Sequence, residues 1–405
     1  MEFIRKYKSL FISLRSNIVR KKFSIQKTIV KWIKIVFLVV EIPLELVGDI
    51  LFFWGRCFKK KFINPQKVLI VRIDQFGDVL FSTFLLPILK KKYPECEIDY
   101  LVNPKTSAIL KNNQYIRNIY FWDEVALHFI AGRKEGSKTS IAQALKNNQE
   151  VIGKLKGENY DYVINGRAFV PSSNIWWKLI KPKHLISFDI SEQSFLADYW
   201  AEYNLKDEEW ENYMNLLLPL GISREDFFFG PVFENFDDSI FNRGELEELQ
   251  NEPYIVCAPV SFDKDREWPK EYWRDVVAQY RNGGGIIVFT GIPSQRTYIE
   301  EIVNGIEQES VFIVTDATLP QLGSLYKKAK LLLCIDSFPT HLALAVKTKT
   351  ICLINTSAYY LKGFSSPLSS MSARCMVPLL NEKISVFKTD TQPEVVLNKI
   401  KELVE

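Results

Sequence analysis

Twice along this chain, short apolar strands alternate with helix-patterned segments, and that alternation leaves few folds open. The first series opens with "KVLIVRI" from Lys67 and continues with a helical pattern, "VLFSTFLLPILKKKYP", closed by Pro94. Strand Glu97–Asn103, a short helix "TSAILKNN", strand "IRNIYFWD", helix "IAQALKNNQEVIGKLKGEN" and strand Tyr160–Gly166 follow. The second series opens with strand Tyr254–Val260 and helix "KEYWRDVVAQYRN". Strand Gly285–Gly291, helix "SQRTYIEEIVNGI", strand "VFIVTD", helix "LPQLGSLYKKA", strand Leu331–Asp336, helix "PTHLALAV" and strand "KTICLINTS" complete it. Strands that are apolar throughout and separated by helices specify parallel βαβ units, with helices on both faces of each sheet. The sequence predicts an α/β protein of two doubly wound domains in series. Residues 1–63 read as a helical extension, 64–250 as the first domain and its linker, 251–385 as the second domain and 386–405 as a C-terminal helix. Residues 167–250 are less regular, and no repeat relates the two halves. In such sheets ligands bind beyond the carboxyl ends of the strands, so two facing domains would share one cleft.

Composition narrows the class. The 405 residues are 47% hydrophobic and 25% charged, as in globular proteins, and the net charge of +4 gives no global bias toward nucleic acid. Six scattered cysteines form no CxxC pair, and Cys257, Cys334 and Cys352 lie in strand-like runs. That usage fits a reducing compartment and excludes a zinc-binding pattern. Basic residues crowd the first 61 positions. Lys27, Lys31 and Lys34 share one helix face, with Ile29, Ile33, Val36 and Phe37 on another. This predicts a basic amphipathic helix on an anionic membrane surface, with a helical hairpin packed on the body as the alternative. The apolar run Ile35–Trp54 is long enough to cross a bilayer but carries Glu41, Glu45 and Asp49 and is interrupted by Pro43.

Three loops at strand carboxyl ends carry the chemistry. The first is the acidic island Asp74, Gln75, Phe76, Gly77, Asp78. A glycine before a helix permits close backbone approach, yet two carboxylates repel phosphate, so Asp78 suits proton acceptance better than a phosphate cradle. The plainer alternative is that Asp74 or Asp78 only caps the helix. The second loop, in "APVSFDKDREWPKEYW", sets Ser261, Lys264 and Arg266 ahead of a helix opened by Trp268-Pro269. A hydroxyl and a guanidinium at a helix start can hold phosphate, or they can be ordinary solvent-facing charge. The third, "CIDSFPTHLALA", offers a helix N-terminus with Ser337 and Thr340 as donors and His341 one position on; the histidine can equally be a packed core residue.

Taken together, "RIDQFGDVL", "APVS…REWPKEYW" and "DSFPTHLALA" resemble glycosyltransferase family 9, the ADP-heptose:lipopolysaccharide heptosyltransferase family, across roughly Lys67 to Ser357. The resemblance implies a GT-B fold: two Rossmann-like doubly wound domains facing a cleft, preceded here by the N-terminal helical extension. It also implies inverting, metal-independent glycosyl transfer, with the acceptor bound mainly by the first domain and the nucleotide-sugar by the second. Asp78 then matches the general base, with Asp74 and Gly77 on the acceptor side. Arg266 falls where the family usually has a lysine at the donor diphosphate, with Ser261 beside it. Asp336, Ser337 and His341 match the loop around the donor sugar and phosphates. Two departures bear on the donor. Phe338 stands where the family typically has glycine, and Gln295 lies near a glutamate position that contacts the ribose.

The expected activity is transfer of a heptose or related sugar from a nucleotide-diphosphate donor, ADP-linked, to a lipopolysaccharide core or other surface-glycan acceptor. The expectation includes no cofactor, no metal and no nucleic acid. The acceptor is lipid-linked or an oligosaccharide, and the enzyme is cytoplasmic, peripheral to the inner face of the membrane through its N-terminal segment. The alternative from another class is a catalytically degenerate GT-B scaffold, motivated by Phe338 and Gln295. An NAD-dependent oxidoreductase is disfavoured, because neither series has GxGxxG after its first strand.

Overall fold

The computed structural model describes residues 47–48, 62–123, 141–168, 174–204, 207–227, 230–261, 264–307, 309–354 and 384–404. The N-terminal amphipathic stretch and all but residues 47–48 of the apolar run expected at the membrane lie outside these. Among the described residues no helix is long and apolar enough to cross a membrane. The chain divides into two compact units, one carrying described residues 62–107 and 114–227, the other 108–113 and 230–404.

The first unit is built on six parallel strands: β1 (Lys67–Val71), β2 (Glu97–Val102), β3 (Asn118–Phe121), β4 (Tyr162–Asn165), β5 (His184–Phe188) and β6 (Tyr199–Ala201). Their order is β3-β2-β1-β4-β5-β6. β1 is central, with Val68 opposite both Ile98 and Tyr162, and Val68 to Val71 are fully buried. Such a run of β-branched and branched aliphatic residues fits a strand covered on both faces. The chain switches direction across the sheet between β1 and β4, which is where the loops after these two strands diverge.

The single helix expected after β1 is two: α1 (Phe76–Ser82) and α2 (Leu85–Lys92). Pro87 explains the break, since its missing N–H leaves the Thr83 carbonyl without an i+4 donor. Thr83 N and Leu86 N instead make i−3 bonds to Leu80 O and Thr83 O. α3 (Ile141–Gly157) crosses from β3 to β4, and the "TSAILKNN" helix is a 3₁₀ turn, Pro104–Ile109. The stretch read as irregular in fact contains β5, β6, α4 (Asn174–Leu179) and α5 (Glu209–Asn215).

The second unit repeats the order. Its strands are β7 (Tyr254–Ala258), β8 (Ile286–Thr290), β9 (Val311–Val314), β10 (Leu331–Ile335), β11 (Thr350–Ile354) and β12 (Ile384–Lys388), arranged β12-β11-β10-β7-β8-β9 and all parallel. The switch falls between β7 and β10. Helices are α6 (Lys270–Asn282), α7 (Arg296–Val303), α8 (Leu319–Lys328), α9 (Phe338–Ala345) and α10 (Pro393–Val404). The C-terminal helix thus begins at Pro393, after a strand that the sequence reading did not separate from it. On one face the core joins Trp268 and Trp273 to Ile299, Ile302, Val396 and Ile400. α8 starts at a capping box, with Thr318 and Gln321 exchanging side-chain bonds to each other's backbone N–H.

A buried acid in β2 ties that strand to the start of β3 and to the residues that lead into β4. Asp99 in β2 is fully buried and accepts from Arg117 Nε at 2.9 Å, Asn118 N at 3.0 Å and the Tyr160 hydroxyl at 2.6 Å. Asp99→Ala should therefore lower the unfolding free energy by about 3 kcal/mol, the lower end for breaking a buried pair. Arg117 keeps Glu97 and Glu158, which limits the loss. Urea unfolding followed by tryptophan fluorescence measures this; an unchanged midpoint and slope would show that Asp99 is not a tie.

Candidate functional site

Both switch points carry charged side chains, and the two differ in sign balance. In the first unit, β1 is followed directly by Arg72, whose side chain is 6% exposed. Its Nη1 donates to Gly166 O just past β4 and lies 2.9 Å from Asp74 Oδ2. Its Nη2 lies 3.2 Å from Asp78 Oδ1. The guanidinium carbon sits 5.2 Å from the Tyr213 ring centroid, and the Tyr213 hydroxyl donates to the same Gly166 carbonyl at 3.0 Å. Arg167 Nε holds the other Asp74 oxygen at 3.1 Å.

Neither aspartate caps α1. The N-cap is Gln75, which makes no side-chain cap bond, and Asp78 lies in the first turn, next to Gly77. Asp74 is gripped by two arginines and is 14% exposed, whereas Asp78 meets one edge of Arg72 and is 29% exposed. Burial pushes the Asp78 carboxyl up to about 6; Arg72 pulls it down, and Asp74 and Glu209 push it up. Such a group is ionised at neutral pH yet basic enough to accept a proton there. The sequence reading placed Asp74, Gly77 and Asp78 here but gave no role to Arg72, Arg167, Tyr213 or Glu209. Only Arg72 had a signal, as the arginine two positions before Asp74 in the first motif.

In the second unit, Arg266 closes a 3₁₀ turn, Lys264–Arg266, after β7, with Ser261 half-buried just before it. Arg266 Nη1 donates to the Asp336 carbonyl at 2.9 Å and lies 3.8 Å from its carboxylate. Asp336 is fully buried at the end of β10, and Ser337 is the N-cap of α9, its hydroxyl 3.4 Å from Ile335 O. His341 is buried, and burial lowers its imidazole to about 4, against an opposing pull from Asp336. It is thus a neutral ring at physiological pH. The structure therefore gathers Arg266, Asp336, Ser337 and His341 at one switch point, with Phe338 at the first turn of α9.

The third loop's Thr340 does not keep its expected role, and Gln295 has a local partner. The Thr340 hydroxyl is fully buried and faces the strands, 3.3 Å from Cys334 Sγ and 3.4 Å from Ile335 O, so it is no outward donor. Gln295, beyond β8, closes its own 3₁₀ turn, Pro293–Gln295, by accepting from Ile292 N at 3.0 Å.

Comparison with known proteins agrees with this architecture. The profile of glycosyltransferase family 9 (heptosyltransferase) matches residues 149–391, a span that leaves out the Arg72–Asp78 loop. Lipopolysaccharide heptosyltransferase 3 of Escherichia coli K12 is 28% identical over 294 residues, which cover 69% of this chain and 80% of that protein. Among solved structures, a family 9 glycosyltransferase from Veillonella parvula superposes with a TM-score of 0.69 at 16% identity, covering 85% of this chain and 99% of that one. The ADP-heptose lipopolysaccharide heptosyltransferase II of E. coli gives 0.65 at 18% identity, covering 84% and 98%. The two Rossmann-like units are those of a GT-B fold, and the chain belongs to glycosyltransferase family 9, the heptosyltransferases, as a glycosyltransferase.

Proposed function

We propose that this enzyme transfers a heptose from an ADP-linked donor to a lipopolysaccharide core acceptor, with inversion and without a metal ion. The acceptor and donor classes rest on the relatives named above, a lipopolysaccharide heptosyltransferase and an enzyme described by its ADP-heptose. The observation that carries the mechanism is the asymmetry of the acidic cluster: Asp78 is the more exposed acid, and its carboxyl is pushed up to about 6. In this reading Asp78 takes the proton of the acceptor hydroxyl as that oxygen bonds to the anomeric carbon. The bond from that carbon to the diphosphate breaks, and ADP leaves with the electron pair. Arg266 and the N-terminus of α9 offset the charge gathering on the diphosphate. Ser261, Asp336, Ser337, Phe338, His341 and Gln295 are proposed to border the donor. His341, being neutral, serves as a hydrogen-bonding group and not as a cation.

Asp78→Asn keeps the shape and removes the basicity. Turnover should fall by roughly 10²–10⁴-fold, with little change in ADP affinity. Asp74→Asn should cost less. Because Asp78 must be ionised to act, kcat/KM should rise with pH up to about 6 and level off above it. Stability should run the other way. The folded-state value lies above the ordinary 3.8, so folding favours protonated Asp78, and that contribution is lost as pH rises through about 6. At pH 8, Asp78→Asn should be at least as stable as the parent while nearly inactive. Normal turnover in Asp78→Asn with loss in Asp74→Asn would move the base to Asp74; if neither variant matters, the degenerate-scaffold reading takes over.

Arg266→Ala should weaken ADP binding by about 1.5–3 kcal/mol, the usual worth of a hydrogen bond to a charged group. Calorimetry reads this directly, and unchanged affinity would remove Arg266 from the site. Dialysis against EDTA should leave turnover intact; loss that magnesium restores would contradict metal independence.

The basic stretch around Lys27, Lys31 and Lys34 is proposed to hold the enzyme on anionic membrane, near its acceptor. Full-length protein should sediment with anionic liposomes at low salt, and protein lacking residues 1–60 should not. Failure of the full-length protein to bind would favour a segment packed on the body.

A further inference from the structure

The first unit buries two guanidiniums among three carboxylates, and the proposed chemistry asks only one of those acids to accept a proton. Arg72 contacts both candidate acids and is fixed from every side. Its Nη1 is shared between Gly166 O and Asp74, its Nη2 meets Asp78, and its Nε points at the Asp78 carbonyl at 3.5 Å. Tyr213 lies under its plane and is itself tied to Gly166 O, while the Arg72 backbone N–H donates to Leu101 O in β2. A guanidinium held in this way cannot follow one carboxylate at the expense of the other.

We propose that Arg72 is a positioning residue that anchors Asp74 as a standing counter-charge and so leaves Asp78 as the acid that takes the proton. The inference rests on the base assignment made above. The charged and titratable groups facing Asp78 are Arg72 and Asp74 at the end of β1, Arg167 after β4, and Glu209 and Tyr213 on α5. Three carboxylates against two guanidiniums leave one negative charge in excess, which uptake of one proton cancels. Asp74 is committed to Arg72 and Arg167. Glu209 is buried and accepts from the Tyr203 hydroxyl at 2.7 Å. Asp78, with a single guanidinium edge and the greatest exposure of the two aspartates, is where the proton goes. The directions of the electrostatic effects agree, Arg72 favouring ionised Asp78 and Asp74 opposing it.

Those opposed effects make the test specific. The pH dependence of kcat/KM is measured with ADP-heptose as donor, E. coli lipopolysaccharide lacking its heptoses as acceptor, and ADP release as the signal. Arg72→Gln should move the midpoint upward by about one pH unit or more, because the favourable charge is gone. Asp74→Asn should move it downward, because the opposing charge is gone. Arg72→Lys keeps the charge but not the fork, so its midpoint should stay near the parent's while its plateau falls about tenfold. A purely structural Arg72 would lower the plateau in both arginine variants and leave their midpoints at the parent's, which overturns the inference. If Asp78→Asn retains turnover, the base assignment itself falls and this inference with it.

A second measurement needs no substrate and decides the matter should Arg72→Gln fail to fold. Urea stability of the parent and of Asp78→Asn is compared from pH 4 to pH 8, and the pair is repeated on the Arg72→Lys and Asp74→Asn backgrounds. The pH at which the two curves part reports Asp78 by linkage. On the Asp74→Asn background that pH should fall, and on the Arg72→Lys background it should hold. An unchanged pH on the Asp74→Asn background, or a moved one on the Arg72→Lys background, would reject the proposal.

Discussion

Successive strands can run parallel only if each is followed by a crossover that carries the chain back to the end of the sheet at which the strands begin, and the rest of this structure depends on that constraint. All ten strand pairings among the described residues are parallel. Every strand therefore delivers its carboxyl end to one side of its sheet, and the loops that begin there are the polar parts of the chain. Past Lys67, β1 is apolar and fully buried from Val68 to Val71, and in β10 Leu331 to Ile335 are all fully buried. The chemistry accumulates within seven residues of the strand ends, at Arg72, Asp74 and Asp78 after β1 and at Asp336 and Ser337 directly after β10. The shared strand order puts both groups at a direction switch, where adjacent loops diverge and a crevice opens.

The two switch points then part ways through charge balance. Arg72 is opposed at 2.9 and 3.2 Å by two carboxylates, with Glu209 adding a third negative charge nearby. That cluster is acidic on balance and suits proton uptake. Arg266 is opposed by the Asp336 carboxylate at 3.8 Å, its close bond going to a carbonyl. His341, being neutral, adds no charge there. The second cluster is thus balanced, with one guanidinium against one carboxylate, and can offer N–H donors and a helix N-terminus to an anion, while the first, with an excess negative charge, would repel one.

Much of this was legible in the sequence because apolar runs and punctuation mark strands and helices locally. α6 occupies the very residues that its 3.6-residue pattern and the preceding Trp268-Pro269 indicate. β5 and β6 escaped notice for a physical reason. β6 is only three residues long, and β5 opens on His184 after "KPK" and has its apolar residues broken by Ser187, so neither shows a continuous apolar run. The split between α1 and α2 was readable in principle from Pro87. The role of Arg72 was not: its anchors, Gly166 and Tyr213, lie far along the chain, and only the pairing of β1 with β4 brings them together. Thr340 misled for the opposite reason. Its position in the first turn of α9 suggests an outward donor, but a hydroxyl over β10 and β11 finds Ile335 O and two cysteine sulfurs instead.

The placement of Asp78 inside α1 has a chemical consequence. An aspartate at the N-cap spends its oxygens on backbone N–H groups, and those bonds favour its ionised form and blunt its basicity. Gln75 occupies that position here without a side-chain bond, and Asp78, three residues on, turns its oxygen to Arg72. It still feels the helix N-terminus, which favours negative charge, but burial outweighs this and carries the carboxyl up to about 6. The cost is a group of charges that apolar residues of similar volume could replace with equal or greater stability. Such an arrangement makes little sense as packing. It makes sense if one carboxylate at the mouth of the sheet must stay deprotonated at neutral pH and yet be ready to take a proton.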